Sequence, residues 1–369
     1  MTEFFRDHTT IGVGGPIGNY HRVATTKKLL SVSKEVFATG EPWMVLGGGS
    51  NLVVSDEGFT GHVIHIATRG RKITQSGDQV LLTVQAGEDW DELVAFTVSE
   101  GLQGLESLSG IPGRVGASVI QNIGAYGYEV SSVIDHVELI DYPSAEMRTL
   151  TSEELQLGHR TSALKTGKLQ GIVTSVTFSL AKSDTSLPIA YAQVAEALDL
   201  ELGQTVPLGM LRKTVLSLRA SKGMVIDESD LDSRSCGSFF INPVVSEKFS
   251  YSLPQDAPRW VQREKAPIVV DLVGGEIPSD SEFAGAGSDQ AEVKLSAAWL
   301  IEHSGIPKGF SLPGSKARIS TKHNLAITNP ADASADDIAS LARYVRTQVA
   351  NTFGVVLQPE PVLVGLDLG

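Results

Sequence analysis

The chain has 369 residues, of which 41% are hydrophobic and 20% charged, as is typical of a globular protein with two or three domains. Its net charge of −13 argues against general binding to nucleic acids or anionic membranes, and no apolar run approaches the roughly 20 residues needed to span a bilayer. The N-terminus lacks a signal-peptide pattern, and the single cysteine, Cys236, excludes an internal disulfide, so a cytoplasmic location is expected.

Hydrophobic periodicity predicts short strands interspersed with helices, an α+β chain with mixed sheets. Apolar runs of strand length occupy positions 43–46, 52–54, 62–67, 80–85, 133–140, 172–180, 238–245 and 268–273. Helical spacing with capping residues predicts helices at 27–39, from Asp89 to before Gly101, from Thr151, at 211–219, at 294–303 and from Ser334 to before Gly354. An acidic, glycine-rich stretch at 274–290 predicts a surface insertion.

Two glycine-rich loops stand out, LGGGSN at 46–51 and IPGRVGASVIQNIGAYG at 111–127. Glycines let the backbone adopt positive φ and approach a ligand without a Cβ in the way. Successive backbone N–H groups in such loops form concave anion sites. Neither loop matches the G-x-G-x-x-G dinucleotide fingerprint or a P-loop. The pair therefore predicts a phosphorylated ligand held by an uncommon loop arrangement.

Together with three further stretches, these loops carry a family resemblance. GHRTSALK at 158–165, CGSFFINPVV at 236–245 and LQPEPVLVG at 357–365 follow them in order. The set resembles the UDP-N-acetylenolpyruvoylglucosamine reductases, and specifically the subgroup with a tyrosine loop that closes over the substrate. The resemblance covers nearly the whole chain.

The resemblance implies a fold and a set of domains. It implies a two-subdomain FAD-binding fold of the vanillyl-alcohol-oxidase/PCMH type and a C-terminal α+β substrate-binding domain. Boundaries are expected near 70 and 225, which gives 1–70 and 71–225 as the FAD-binding subdomains and 226–357 as the substrate-binding domain. The tail, 358–369, is expected to pack near the first subdomain.

The resemblance also implies the reaction. NADPH reduces non-covalently bound FAD, and a hydride from flavin N5 then enters C3 of UDP-N-acetylglucosamine enolpyruvate, which yields UDP-N-acetylmuramate for peptidoglycan. The cofactor-binding residues that it implies are Gly47, Gly48, Gly49, Ser50, Asn51, Ile111, Pro112, Gly113, Gly116, Ala117, Ser118, Gln121, Asn122, Gly124, Ala125 and Tyr126.

Three residues match the catalytic positions of the family. Ser238 matches the serine that donates a proton to C2, and a hydroxyl suits this step because it adds no negative charge beside the substrate carboxylate. Glu360 matches the catalytic glutamate, and the prolines on both sides of it favour an extended backbone. Arg160 matches the arginine near the enolpyruvyl carboxylate, which a guanidinium grips with two parallel hydrogen bonds. Cys236 is the rival proton donor, since alternation along a strand would place it on the face of Ser238.

Four residues match substrate-contacting positions, namely Tyr191, Lys222, Asn242 and Lys294. Two positions depart from the family. His159 stands where tyrosine is common, and Ile241 stands where lysine is frequent, so one phosphate contact is in doubt. The histidines show no metal-ligand spacing with Cys236, and no metal is expected.

Two alternative functions remain at this stage. A flavin oxidase of the same fold would oxidise a sugar or alcohol with oxygen, but such enzymes lack the serine of GSFF and the proline-flanked glutamate. A non-catalytic nucleotide-binding module would hold no flavin. For the reductase, the expected partner is the small-molecule substrate alone, with no nucleic acid or membrane, and the expected state is a monomer.

Overall fold

The structure is a computed structural model that describes residues 2–262 and 292–369. The strand predicted at 268–273 and the insertion predicted at 274–290 lie outside these residues. The α-helices of the described chain are α1 (Thr26–Thr39), α2 (Trp90–Ser99), α3 (Val115–Ser118), α4 (Ala192–Leu198), α5 (Leu208–Ala220), α6 (Glu247–Ser250), α7 (Ala297–His303) and α8 (Ala335–Phe353). Short 3-10 helices occur at Phe5–Asp7, Glu106–Leu108, Val130–Val133 and Leu231–Ser233. None of these helices is long and apolar enough to cross a membrane.

The strands of the described chain fall into six small sheets. They are β1 (Ile17–Val23), β2 (Trp43–Leu46), β3 (Leu52–Val54), β4 (Phe59–Ile66), β5 (Arg71–Ser76), β6 (Gln79–Gln85), β7 (Leu102–Gln103), β8 (Gly124–Ala125), β9 (Tyr128–Glu129), β10 (Ile134–Asp141), β11 (Met147–Thr151), β12 (Gly171–Lys182), β13 (Val244–Ser246), β14 (Arg259–Gln262), β15 (Glu292–Leu295), β16 (Arg318–Ile319), β17 (Ile327–Thr328) and β18 (Val362–Val364).

The N-terminal layer is a parallel sheet of order β1-β4-β2, covered by α1. Helix α1 begins where the Thr25 hydroxyl accepts a bond from the Lys28 amide, and it ends at Gly40 with φ of 69°. A glycine accepts this left-handed conformation without a Cβ penalty. Strand β2 then leads into the glycine turn at residues 47–51, and β3 follows immediately. The predicted helix at 27–39 and the predicted strands at 43–46 and 52–54 are confirmed.

The C-terminal strand forms a separate two-stranded sheet with β3. Strand β18 pairs in parallel with β3, and the Val362 amide donates to the Asn51 carbonyl at 3.0 Å. Because β18 begins two residues after Glu360, this pairing carries the end of the chain to the glycine turn.

The largest sheet is antiparallel, of order β11-β10-β12-β6-β5, with β7 added beside β12. Its buried face packs under α2, where Trp90 and Phe178 meet edge to face. Helix α2 begins at Asp89, whose carboxylate accepts bonds from the amides of Asp91 and Glu92. The helix predicted to start at Asp89 is therefore confirmed.

The C-terminal part has its own core. A three-stranded antiparallel sheet, β13-β15-β14, packs with α7 and α8 around buried residues such as Leu300 and Val345. Helix α8 starts with the predicted capping box between Ser334 and Asp337 and ends at Gly354, with φ of 69°. The prediction for this helix is confirmed.

Three local predictions are wrong. Thr151 and Glu154 form the capping bonds, but the chain makes a single turn, since Gln156 adopts φ of 46° and leaves the helical region. Residues 238–243 form no strand; only Phe240 bridges, to Pro359.

The third concerns Lys294, which lies on strand β15 and not in the predicted helix. Helix α7 begins three residues later because Ser296 caps it, accepting a bond from the Trp299 amide at 3.2 Å.

A clamp at Asp91 holds the second glycine loop in place. The Asp91 carboxylate accepts two bonds from Arg212 on α5, at 2.6 and 2.8 Å, and one from the Gly110 amide at 2.6 Å. Burial opposes ionisation of this carboxyl, but these hydrogen bonds and the Arg212 charge outweigh it and lower its pKa. Helices α2 and α5 are thereby tied to the residue that precedes the loop at 111–127.

Replacing Asp91 by asparagine is expected to reduce the free energy of unfolding by about 1–3 kcal/mol at pH 7, because a charged, bidentate acceptor is lost. A lowered folded-state pKa contributes stability that is present above the unfolded pKa and lost as the pH falls through the folded pKa. The difference in the free energy of unfolding between this variant and the parent protein should therefore become smaller below about pH 5. Urea unfolding at several pH values measures it.

The matched control is Asp332→Asn, which removes a pair between Arg234 and a carboxylate that is 85% exposed. Exposed pairs contribute about 0–1 kcal/mol, so this variant should unfold nearly as the parent does. A difference for Asp91→Asn that does not change with pH would show that the carboxylate charge does not stabilise the clamp.

Candidate active site

A cleft of about 1060 Å³ lies where four segments of the chain and the residues next to the C-terminal strand converge. Its size reaches the upper end of the roughly 300–1,000 Å³ of small-molecule sites. The glycine turn at 47–51, the loop at 111–124, the hairpin at 158–165 and the segment at 233–238 all contribute lining residues, as does Glu360. Motifs that are separated by more than a hundred residues in sequence thus share one cavity.

The glycine turn presents a row of free amides to this cleft. Within the described chain, the N–H groups of residues 47–51 donate to no protein acceptor. Gly49 has φ of 61°, and a Cβ there would lie 2.0 Å from the His8 carbonyl oxygen. The turn also abuts the second loop, since a Cβ on Gly48 would lie 2.8 Å from Gly113 Cα. Unpaired N–H groups in such a turn bind anions.

An amide network connects the two glycine loops with the C-terminal tail. The Asn51 side chain donates to Gln121 Oε1 at 2.7 Å and to the Glu360 carbonyl at 3.2 Å. Gln121 Nε2 donates to Glu360 Oε1 at 3.4 Å. Arg160 Nε lies 3.6 Å from the same carboxylate oxygen, and both side chains are largely buried. The structure therefore brings Glu360 and Arg160 into direct contact.

A short backbone bridge sets Ser238 beside this network. The Glu360 amide donates to the Phe239 carbonyl at 2.9 Å, and the Ile241 amide donates to the Gln358 carbonyl at 3.0 Å. The ladder extends no further because Pro243 lacks an N–H donor, the Phe239 amide donates to the Leu325 carbonyl and the Val362 amide donates to the Asn51 carbonyl. Ser238 is half-buried, lines the cleft, and its hydroxyl has no hydrogen-bond partner among the described residues.

The environment of the Cys236 thiol differs from that of the Ser238 hydroxyl. Gly237 adopts φ of 71° between the two residues, so the alternation of a strand does not apply, although both residues line the cleft. The thiol is buried and points to the Leu52 carbonyl, with an S–O distance of 3.6 Å. Burial raises its pKa to about 12. A thiol with such a pKa is a poor acid at neutral pH.

Arg160 is held in an uncommon backbone conformation. It is the second turn residue of a tight hairpin closed by Gly158 and Thr161, and its φ is 57°. Left-handed φ costs a non-glycine residue about 1–2 kcal/mol. Arg160 Nη2 donates to the Gly124 carbonyl at 2.7 Å, and Lys165 Nζ donates to the Arg160 carbonyl at 3.1 Å. These bonds hold the guanidinium in the cleft.

Cations concentrate around the cleft in an acidic chain. Burial lowers the pKa of Lys165, Arg219 and Lys294, and the neighbouring charge of Arg160 lowers each of them further. Burial also lowers the pKa of Lys222, as does the charge of Arg219. Cations that depress one another in this way gain from an added anion.

Several predicted cofactor residues lie away from the cleft surface. Asn122 is fully buried and bonds to Glu129 and to the Gly158 carbonyl, so it braces the loop. Ala125 and Tyr126 lie just beyond the cleft lining. All the other predicted cofactor residues line the cleft, namely Gly47, Gly48, Gly49, Ser50, Asn51, Ile111, Pro112, Gly113, Gly116, Ala117, Ser118, Gln121 and Gly124.

The predicted substrate residues form two groups outside the cleft lining. In the first, Tyr191 precedes α4, is 46% exposed and meets Tyr126 edge to face at 5.6 Å. Lys222 Nζ lies 5.9 Å above the Tyr126 ring and donates to Gln193.

In the second group, Lys294 Nζ lies 3.0 Å from His159 Nε2, next to Arg160 in sequence. Asn242 uses its side-chain oxygen to accept a bond from the Ala297 amide at 2.9 Å, so part of its polar capacity serves the start of α7.

Two cleft residues escaped the sequence analysis. Lys165 contacts Gln121 Oε1 at 3.4 Å, and it closes the GHRTSALK stretch, a signal that would have identified it. The Arg219 guanidinium lines the cleft, donates to the Met224 carbonyl, and has a buried Nε without a partner in the described chain. Arg219 lies three residues before Lys222, a predicted substrate residue, so its place next to that motif would have identified it. No group of three or more His, Cys, Asp or Glu residues suited to a metal occurs in the described ranges.

Comparison with known proteins identifies the family. Residues 19–151 match the model of an FAD binding domain, and residues 229–364 match the C-terminal domain of UDP-N-acetylenolpyruvoylglucosamine reductase. The reductase of that name from Leifsonia xyli subsp. xyli is 50% identical over 98% of this chain and 97% of its own length. The one from Saccharopolyspora erythraea is 45% identical over 98% of this chain and 94% of its own length.

A solved structure supports the same family assignment. The reductase from Thermus caldophilus covers 99% of this chain and 98% of its own, with a TM-score of 0.62 and 27% identity. The predicted fold class, an FAD-binding fold followed by a C-terminal α+β domain, is confirmed. With half of its residues identical to a curated member along almost its entire length, this chain belongs to the UDP-N-acetylenolpyruvoylglucosamine reductase family.

Proposed function

We propose that this chain reduces UDP-N-acetylglucosamine enolpyruvate to UDP-N-acetylmuramate, using FAD and NADPH, for peptidoglycan precursor synthesis in the cytoplasm. The observation that carries the proposal is the bridge at Phe239 and Glu360, which brings the Ser238 hydroxyl, unpartnered among the described residues, to the Glu360–Arg160 contact in the cleft. An oxidase would remove hydrogen from its substrate and would need no such proton donor. Proton donor, carboxylate and guanidinium in one cleft suit a reduction completed by protonation.

The residues of the cleft fit FAD. The free amides of residues 47–51 suit its diphosphate, because they offer donors without adding charge. Apolar side chains such as Trp43, Ile120 and Ile123 line the same cleft and suit flat ring surfaces. FAD, when bound, supplies to substrate carbon C3 the hydride that NADPH provides.

Arg160 and Ser238 divide the remaining chemistry between them. The Arg160 guanidinium holds the enolpyruvyl carboxylate, and its attraction strengthens as negative charge collects on C2 and that carboxylate. The Ser238 hydroxyl delivers its proton to C2. Glu360 keeps the guanidinium aligned through the contact at 3.6 Å and lies close enough to assist protonation.

The four predicted substrate residues outside the cleft lining bind the rest of the substrate. Tyr191 and Lys222 cover the diphosphate from one side, with Tyr191 acting as the closing residue of its subgroup. Asn242 and Lys294 contact it from the C-terminal part. We further propose domain boundaries near 70 and 225 and a monomeric enzyme.

Replacing Gly49 by alanine is expected to abolish FAD retention, because both its φ of 61° and the 2.0 Å approach of the His8 carbonyl exclude a Cβ. The flavin content of the purified protein and titration of the apoprotein with FAD measure this.

Gly77→Ala serves as the matched control. Gly77 has a similar φ of 60°, but a Cβ there would meet nothing within 4 Å. This variant should bind FAD normally and lose about 1–2 kcal/mol of stability. If Gly49→Ala retained flavin as well as Gly77→Ala does, the glycine turn would not be part of the cofactor site.

Changing Ser238 to alanine should leave the bleaching of bound FAD by NADPH nearly unchanged, since no substrate proton moves in that step. Recovery of the flavin absorbance on adding the enolpyruvyl sugar should slow by about 10²–10⁴-fold, as for a lost general acid. Stopped-flow absorbance resolves the two steps.

Cys236→Ala is the control for this experiment, because its thiol points to the Leu52 carbonyl. Both steps should stay near the parental rates. Equal slowing of both steps in Ser238→Ala would make Ser238 a structural residue, and loss of the second step in Cys236→Ala would favour the thiol as the donor.

A further inference from the structure

A chain of three side chains links the hairpin that carries Arg160 to the C-terminal part of the protein. Glu129 Oε1 lies 2.9 Å from His159 Nδ1, and His159 Nε2 lies 3.0 Å from Lys294 Nζ. Glu129 is itself anchored, since its other carboxylate oxygen accepts a bond from Asn122 at 2.8 Å. Asn122 is completely buried in the second glycine loop. The link thus runs from the buried loop to strand β15.

The donors and acceptors in this link define the state of the histidine. A lysine ammonium has only donors, so His159 Nε2 must act as the acceptor. Nδ1 then carries the proton and donates it to the carboxylate of Glu129. The arrangement therefore requires a neutral imidazole in the Nδ1–H tautomer, and Glu129 selects that tautomer.

The link places a second cation beside Arg160. Burial lowers the pKa of Lys294 and the charge of Arg160 lowers it further, whereas Glu129 opposes this shift. Two cations held near each other repel, so an unrestrained lysine side chain would swing towards solvent. A neutral acceptor at 3.0 Å holds the ammonium without neutralising it. Among the described residues the ammonium makes no other side-chain hydrogen bond, which leaves two of its three hydrogens for an anion.

We propose that His159 and Glu129 are positioning residues that hold the Lys294 ammonium beside Arg160 for the anionic part of the substrate. This inference rests on the proposed function for the identity of the anion, the diphosphate of the UDP-sugar. His159 is 55% exposed, so the link contributes little to stability, and its effect falls on substrate affinity. The proposal assigns a role to the position at which this chain departs from the tyrosine common in the family.

The first test identifies the tautomer of His159, and it does not depend on enzyme activity. In the FAD-loaded protein labelled with ¹⁵N, NMR correlations of ring nitrogens distinguish the two neutral tautomers from the imidazolium. The chain has eight histidines, so His159 is assigned by the signals lost in His159→Gln. At neutral pH His159 should be Nδ1–H, and Lys294→Met should shift its Nε2 signal. An imidazolium, an Nε2–H tautomer or no response to Lys294→Met would overturn the proposal.

The second test uses a matched pair of substitutions. A glutamine at 159 places its terminal amide near the position of Nε2 and retains an acceptor for Lys294, whereas an asparagine mimics only Nδ1. The KM for UDP-N-acetylglucosamine enolpyruvate should therefore rise about three- to tenfold in His159→Asn, the effect of one lost hydrogen bond, and much less in His159→Gln. The kcat should stay near the parental value in both variants.

The control is His136→Asn. His136 Nδ1 lies 2.6 Å from the Asp135 carboxylate on strand β10, a similar acid–histidine pair that makes no contact with Lys294. This variant should show the parental KM. In a Lys294→Met background, His159→Asn should have no further effect, because the two act as one unit.

The outcomes separate the two proposals. Equal KM values for the asparagine and glutamine variants, or additive effects with Lys294→Met, would overturn the positioning role. If the parent protein did not turn over the enolpyruvyl sugar at all, the proposed function would fail, and the NMR experiment would still decide whether the link exists.

Discussion

The active site depends on one short antiparallel bridge between residues 239–241 and 358–360. Its two backbone hydrogen bonds join the segment carrying Ser238 to the segment carrying Glu360. The bridge stays this short because the Phe239 amide donates to the Leu325 carbonyl, the Val362 amide donates to the Asn51 carbonyl and Pro243 has no N–H donor. Immediately afterwards β18 pairs with β3, so the same few residues also reach the glycine turn. Removing this bridge would release the segment of the proposed proton donor from the segment of the carboxylate.

Electrostatics explains how an acidic chain hosts an anionic cofactor and substrate. The net charge of the chain is −13, whereas the cleft is lined by four cations, Arg114, Arg160, Lys165 and Arg219, and by two carboxylates, Glu41 and Glu360. Burial removes water from Lys165 and Arg219 and lowers their pKa values, and repulsion from Arg160 lowers them further. A bound diphosphate or carboxylate relieves that repulsion, so the binding of an anion and the order of the cleft support each other.

Local sequence signals predicted those elements whose stability is local. Helices α1 and α8 begin at side-chain caps and end at glycines with positive φ, and both were located from the sequence. Strand β5 was missed because all six of its residues are exposed, so it has no apolar alternation, and only its pairing with β6 makes it a strand. The capping box at Thr151 formed without a helix, since Gln156 turned the chain away after a single turn. In these two cases a distant partner or an unusual φ outweighed the local pattern.

The sequence alone determined which residue types take part: the glycines of the two loops, the Ser238, Arg160 and Glu360 motifs, and with them the family. Those features are chemical and local, and they are readable wherever the chain places them. Only the tertiary structure decided which side chains face the cleft, because this depends on contacts between residues more than a hundred positions apart. It turned Asn122 inwards as a brace, brought Lys165 and Arg219 to the cleft wall, and set Lys294 on a strand against His159.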